Sequence, residues 1–320
     1  MPFLFVSLTD QKNQATLVIP VDAEAAAVAP VHPAGLEGPG PMEKFTNKLV
    51  LITGGSSGIG LALAKNLVSR GANVYILGRR LENLTTTSLE LKKNRIDPSQ
   101  RTGIISADVT REKSTIRILE SFQEKVGVPD YIFNSAGIVF PGQVENIPIA
   151  EFHSLMATNF FGTVLVTKTF LPAMLVRGTG HIINISSFAG FYASYGYSAY
   201  SSTKYAIRGF SDVIRAELKP RGIKVSIVFP ADVDTPQLAY ERSVQTEIMK
   251  EINASAGMLP SEKVADSILK GVEKGRYVIT PGFEPTLAYF LSVTVGWALY
   301  PLMDSLIKSA EKKVHKNTAS

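Results

Sequence analysis

The amino-acid sequence predicts an α/β fold: a doubly wound, seven-stranded parallel sheet with helices on both faces, continued at the C-terminus by an apolar helical extension. Three observations carry this expectation. Short apolar runs alternate with longer segments of helical periodicity. The first run leads directly into a glycine cluster that opens a helix. At 320 residues and 45% apolar composition, the chain can bury one large core without needing a second complete domain.

From Lys48 the runs are KLVLIT, NVYILG, TGIISAD, YIFNSAG, HIINIS, KVSIVFP and RYVIT. Each is short and nearly continuous in apolar character, as a strand covered on both faces requires. The segments between them, including Leu61 to Arg70 and Ile149 to Val176, carry the 3.6-residue repeat of helices packed on a sheet. Alternation of this kind gives parallel strands joined by helical crossovers.

The flanks differ from this body. Residues 1–41 are rich in Ala, Pro and Gly and read as a disordered leader. The apolar stretch Pro2 to Leu8 lacks a basic n-region and is broken by Thr9-Asp10-Gln11-Lys12, which argues against a secretory signal. Met42, opening MEKFTNKLVLITGG, reads as a natural start, so the leader is open to being no part of the working protein. Residues 42–282 form the expected nucleotide-binding catalytic domain, and 283–320 an apolar helix with a basic tail. There are no cysteines, which excludes disulfides and thiol nucleophiles; the 4 histidines lack ligand spacing, so no metal is expected. The net charge of +5 is scattered rather than gathered in a stripe, which argues against nucleic acid.

The first strand ends in TGGSSGIG. Gly54, Gly58 and Gly60, with Ser56, Ser57 and Ile59 between them, leave the strand and open a helix, where bare backbone can approach a pyrophosphate and helix N–H groups can face it. The spacing departs from G-x-G-x-x-G, and a tight turn needing glycine for backbone reasons alone would look the same. The second strand ends in Leu77-Gly78-Arg79-Arg80, with no carboxylate for a ribose 2′-hydroxyl. Arg79 instead offers a planar fork to a 2′-phosphate, with Ser56 or Ser57 as a second donor, so the expected cofactor is NADPH/NADP+. The competing reading makes Arg79 and Arg80 a solvated helix start. Asp108 and Val109 follow the third strand, where a carboxylate can accept from an adenine amino group, and Asn134, Ala136 and Gly137 end the fourth.

The stretch YSAYSSTK, residues 197–204, sets Tyr200 and Lys204 at i and i+4 on one helical face. Ser187 stands thirteen residues earlier at a strand end, close enough in chain for its hydroxyl to meet the phenol. An unperturbed phenol, with a pKa of about 10, is a poor proton donor at neutral pH, and the Lys204 ammonium with an oxidised nicotinamide is expected to lower it. Tyr200 then protonates a carbonyl oxygen that Ser187 also holds, while the cofactor delivers hydride.

TGGSSGIG, NSAG, NISS with YSAYSSTK, and FPADVDTP together resemble the short-chain dehydrogenase/reductase family over about Lys48 to Thr280. The resemblance implies a Rossmann fold. It also implies that Asn159, in MATNFFGT, holds a water in the proton relay to Lys204, and that Pro230, Val233 and Thr235 clasp the cofactor. Ser135 departs from the second asparagine common there. YAIRGF and PADVDTP are most similar to the branch of 3-ketodihydrosphingosine (3-dehydrosphinganine) reductases, NADPH enzymes of sphingolipid synthesis, which implies a long-chain lipid ketone as substrate. Another apolar ketone (steroid, retinoid or 3-oxoacyl) is the alternative, and a non-catalytic NADP sensor is the reading of another class.

Pro285 to Met303 is uncharged over 19 residues, close to the length that spans a bilayer, with Gly296 and Pro301 favouring a shallower association. Tyr289, Trp297 and Tyr300 suit the headgroup level. A membrane surface is therefore an expected partner, at the endoplasmic reticulum of a eukaryote or the inner membrane of a bacterium, with the catalytic domain in the cytosol. The same segment would also serve to cover the cleft or to pack between subunits of a homo-oligomer. Phe188, Phe191, Tyr192, Tyr195 and Tyr197 line an apolar entrance or simply pack their loop, and Gln237 to Leu259, including Met249 and Met258, read as a helical lid or as core.

Overall fold

The computed structural model describes residues 5–10, 15–20, 44–192, 194–253 and 257–318. In chain order the elements are β1 (Phe5–Asp10), β2 (Ala15–Pro20), β3 (Leu49–Thr53), α1 (Gly58–Val68), β4 (Asn73–Gly78), α2 (Leu81–Lys93), β5 (Thr102–Ser106), α3 (Glu112–Lys125) and β6 (Tyr131–Asn134). They continue with α4 (Ile149–Leu155), α5 (Gly162–Arg177), β7 (Gly180–Ile185), α6 (Ser198–Leu218), β8 (Ile223–Val228), β9 (Val233–Asp234), α7 (Pro236–Val244) and α8 (Glu247–Asn253). The last are β10 (Leu259–Pro260), α9 (Ser261–Glu273), β11 (Val278–Ile279), α10 (Phe283–Thr294) and α11 (Leu299–Thr318).

The main sheet runs β1-β2-β5-β4-β3-β6-β7-β8-β11. Its seven members from β5 to β11 are parallel and coincide with the seven apolar runs. The order reverses between β3 and β6, so a crevice opens beyond their carboxyl ends, the place where such sheets bind ligands. One face is sealed by α1 and α9 through residues such as Leu63, Leu67, Val264 and Ile268. The other is sealed by α3, α5 and α6 through Phe122, Phe170 and Ile214. The central strands are buried on both faces, which is why β3 shows no polar alternation.

Two sequence expectations are corrected here. The leader was expected to be disordered, but residues 5–10 and 15–20 form an antiparallel hairpin whose second strand pairs with β5, Leu17 opposite Ile105. The physical reason is the exposed edge of β5, whose unpaired N–H and C=O groups accept another strand; Ala15 and Leu17 bury their side chains there. Residues 1–4, 11–14 and 21–43 lie outside the described residues. The C-terminal apolar stretch is also not one helix: α10 stops at Thr294, Val295 leaves helical geometry, and a short turn at Gly296–Ala298 precedes α11. A continuous span over 285–303 is therefore absent. One stretch among the described residues, Ile149–Arg177, is long and apolar enough to cross a membrane, but it carries the fully buried Asn159 and packs on the sheet as a core helix.

Candidate active site

The glycine turn is built by backbone necessity. Gly54 and Gly58 have φ of 69° and 51°, in the left-handed region, and a Cβ on Gly60 would stand 2.3 Å from the Gly54 carbonyl oxygen. Helix α1 starts at Gly58 with no side-chain cap from Ser57, so its first-turn N–H groups are left for a ligand. Across the turn, a Cβ on Gly58 would meet the Thr235 methyl at 2.9 Å. Loop and clasp therefore face each other over a narrow cradle. Thr235 itself caps α7 by accepting from Leu238 N at 3.2 Å, Val233 is buried, and the Pro230 carbonyl accepts from Phe188 N at 2.8 Å. These residues fit a dinucleotide: bare backbone, free helix N–H groups and a second wall.

The adenosine end is open. Arg79 and Arg80 are exposed at the start of α2, and neither forms an ion pair with a described residue. Ser56 lies at the end of β4, its Oγ 3.6 Å from where a Cβ of Gly78 would be, and Ser57 is exposed beside it. Asp108 accepts from Thr110 N (3.0 Å) and Thr110 Oγ1 (2.8 Å) through one oxygen. Val109 is buried against Gly162. Asn134 donates to Thr167 Oγ1 (3.1 Å) and Asn184 Oδ1 (2.9 Å), which makes it a brace of the strand end. The turn after it is held by Thr53 Oγ1, which accepts from the N–H groups of Ser135 and Ala136, each at 3.0 Å.

The remaining residues converge at the ends of β6 and β7. Helix α6 buries Tyr200 and Lys204 on its inner face. Lys204 Nζ donates to the Ile185 carbonyl at 3.1 Å and lies 5.4 Å from the Tyr200 ring centroid. The Tyr200 phenol faces the hydroxyl of Ser187 and the amide of Gln237, both of which act to lower its pKa; Ser187 is oriented by the Ala189 N–H at 3.1 Å. Asn159 sits in a π-helical turn, Met156–Phe161, between α4 and α5. Such a turn inserts a residue and re-aims its side chain, often at functional sites. Here the Asn159 amide grips the backbone of Ile138 (Oδ1 from N, 2.8 Å; Nδ2 to O, 2.9 Å) and reaches Thr203 Oγ1 at 3.0 Å. Gly137 leaves room beside it: a Cβ there would lie 3.4 Å from Asn159 Oδ1 and 3.7 Å from Lys204 Nζ.

On balance, the protein's own groups do not lower the Tyr200 pKa. Burial pushes the phenol upward, and the carboxylate of Glu241 pushes it in the same direction. Lys204 does not offset this, because burial pulls its own pKa down to about 8. The pair is a neutral phenol beside a weakly held ammonium, the protonation state needed to donate a proton.

The loop aromatics divide. Tyr195 and Tyr197 pack with Tyr200, Val139, Leu155 and Met249 around the site. Phe188, Phe191 and Tyr192 turn away to meet Phe229 and Tyr289, so α10 is seated on them. The segment expected as a lid contains α7 and α8: Met249 is buried against Gly196, whereas Met258 is 46% exposed. Sequence reasoning missed Gln237, Glu241 and Gln245. Their four-residue spacing, one polar face on a helix following the clasp, was the available signal. Among the described residues no cluster of metal-ligating side chains occurs.

A family model described as short chain dehydrogenase matches residues 48–246. The chain is 33% identical to the 3-dehydrosphinganine reductase of Danio rerio over 79% of its own length and 76% of that protein's. It is 32% identical to the 3-ketodihydrosphingosine reductase of Bos taurus over 78% and 75%. Its fold matches a short-chain dehydrogenase from Sphingobium yanoikuyae, solved in complex with NADPH, at a TM-score of 0.67 and 24% identity, covering 79% of this chain and 94% of that one. The motifs, the sheet order and these relatives agree, and the chain belongs to the short-chain dehydrogenase/reductase family of oxidoreductases.

Proposed function

We propose that the protein reduces the keto group of 3-dehydrosphinganine to sphinganine with NADPH, taking its substrate from a membrane surface. The observation that carries the chemistry is a buried, neutral Tyr200 facing Ser187, with Lys204 Nζ 5.4 Å from its ring centroid. When bound, NADPH supplies the hydride to the carbonyl carbon. Tyr200 donates its phenolic proton to the carbonyl oxygen, and the Ser187 hydroxyl hydrogen-bonds that oxygen as negative charge grows on it. Lys204 stabilises the phenolate left behind, and Asn159 holds the Ile138 backbone and Thr203 around it. Ketone, hydride and proton together give the secondary alcohol.

The choice of ketone rests on the names of the relatives and on the apolar C-terminal elements. Phe283, Leu287 and Phe290 recur along the outer face of α10 and are exposed, while Trp297 and Tyr300 are 76% and 73% exposed. Broken helices with such a face suit attachment to one leaflet. The test is incubation of the full chain in detergent micelles with NADPH and 3-dehydrosphinganine, following sphinganine by mass spectrometry; vesicle flotation checks the membrane attachment. Sphinganine equal to the NADPH consumed supports the reading, and no product from a protein that binds NADPH moves the substrate to another apolar ketone.

NADPH rather than NADH follows from the unpaired Arg79. The Arg79→Ala protein is expected to raise KM for NADPH by about 10–100-fold, the size of a lost hydrogen bond to a charged group, and to leave KM for NADH nearly unchanged. Equal shifts for both cofactors would place Arg79 elsewhere. Lys204 adds a pH dependence. With a pKa lowered to about 8, its ammonium is present below that pH and lost above it, so kcat/KM for reduction falls on the alkaline side of about 8. The Lys204→Arg protein, though slower, loses that limb.

A further inference from the structure

Helix α7 is fixed over the site by the Thr235 cap and by Pro236 at its first position. Gln237 and Glu241 lie at i and i+4 on its inward face, and Gln237 Nε2 donates to Glu241 Oε1 at 3.2 Å. Gln237 also faces the Tyr200 phenol, acting to lower its pKa. Glu241 lies beside Tyr197 closely enough for the two to shift each other's pKa; the Tyr197 ring centroid is 6.2 Å from that of Tyr200, and Gln245 Nε2 donates to the Tyr197 hydroxyl at 2.9 Å. A half-buried carboxylate therefore stands one side chain away from the proton donor.

The protein's own cation that acts on it, the Lys204 ammonium, does so across the site without an ion pair and does not keep the Glu241 pKa from rising. Among the described residues Glu241 has no ion pair, and Arg242 turns instead to Asp232 at 3.7 Å. For reduction of a neutral ketone this placement is a liability, because the carboxylate faces the oxygen on which negative charge develops. Burial raises the Glu241 pKa, and Gln237, Tyr197 and the more distant Lys204 only partly oppose it, so a further cation at this point would be favoured. A cation arriving with the substrate removes both problems. An amine on the carbon next to a carbonyl ionises like a chain-terminal α-amino group, at about 7.7–8.0, and lies beside the reacting carbonyl.

We propose that Glu241 receives the ammonium of an α-amino ketone and so selects that substrate class, with Gln237 and Tyr197 holding its carboxylate toward the Tyr200 phenol. This deepens, and rests on, the reductase reading above. The ammonium contact fixes which face of the ketone meets the hydride donor while the oxygen lies on Tyr200 and Ser187.

The test compares 3-dehydrosphinganine with the matching hydroxyketone that lacks the amino group, using the full chain and its Glu241→Gln variant, which keeps the shape and a carbonyl acceptor. The wild-type protein is expected to favour the amino ketone in kcat/KM. The variant is expected to reduce that preference by about 10–100-fold, chiefly through KM. NADPH binding by the variant shows that it is folded, and Glu241→Asp, which retains the charge, is expected to recover part of the preference. An unchanged preference in Glu241→Gln overturns the proposal and leaves the sphinganine assignment intact. If the wild-type protein reduces neither sphingoid ketone, that assignment has failed, and Glu241 is judged on a long-chain aliphatic α-amino ketone against the plain ketone of equal length. Wild-type indifference between those two also overturns the proposal.

Discussion

Replacing Tyr200 with phenylalanine is expected to lower kcat by about 10²–10⁴-fold, the range for loss of a positioned proton donor. The change removes one oxygen from a side chain whose ring remains packed against Tyr197, so the fold and the dinucleotide cradle are affected far less than turnover. Burial and the Glu241 carboxylate keep the phenol protonated; Ser187 is a hydroxyl fixed by Ala189, and Lys204 Nζ is turned to the Ile185 carbonyl, so neither replaces the phenol. Single-turnover reduction with the cofactor pre-bound separates chemistry from binding. Full turnover in Tyr200→Phe would move the proton source away from this residue and sink the mechanism.

The second large effect is expected at Gly60. Its Cβ would sit 2.3 Å from the Gly54 carbonyl oxygen and 2.8 Å from the Gly54 carbonyl carbon, contacts with backbone rather than with a yielding side chain. Gly60→Ala must push the turn away from the start of α1, which misaligns the N–H groups that face the pyrophosphate. Overpacking of this kind destabilises by roughly 1–3 kcal/mol, and the loss of dinucleotide affinity is expected to exceed tenfold, read by titration of the cofactor's fluorescence. Gly209, where a Cβ meets nothing, is the control: Gly209→Ala on α6 is expected to leave affinity as it was. Equal affinities for Gly60→Ala and the unaltered protein would show that the turn does not hold the pyrophosphate.

Much of this molecule was legible before any coordinates. The seven strands stand where the apolar runs stand, since a strand buried on both faces has few alternatives to an uninterrupted apolar sequence. Tyr200 and Lys204 share a face because four residues make about one helical turn. What escaped notice was whatever depends on a surface being left open. The strands at residues 5–10 and 15–20 lie in a leader whose composition reads as disordered, and the second pairs with the edge of β5 that β4 leaves open.

By itself, then, the sequence determined the fold class, the glycine turn and the Tyr200–Lys204 pair, all of which follow from local periodicity and backbone sterics. Tertiary structure alone decided the sign of the Tyr200 pKa shift, the division of the loop aromatics and the arrival of Gln237 and Glu241 beside the phenol. The physical reason is that burial and charge proximity depend on how distant segments fold back on one another. A carboxylate on α7 acts on a phenol on α6 through space, and no local spacing records that distance.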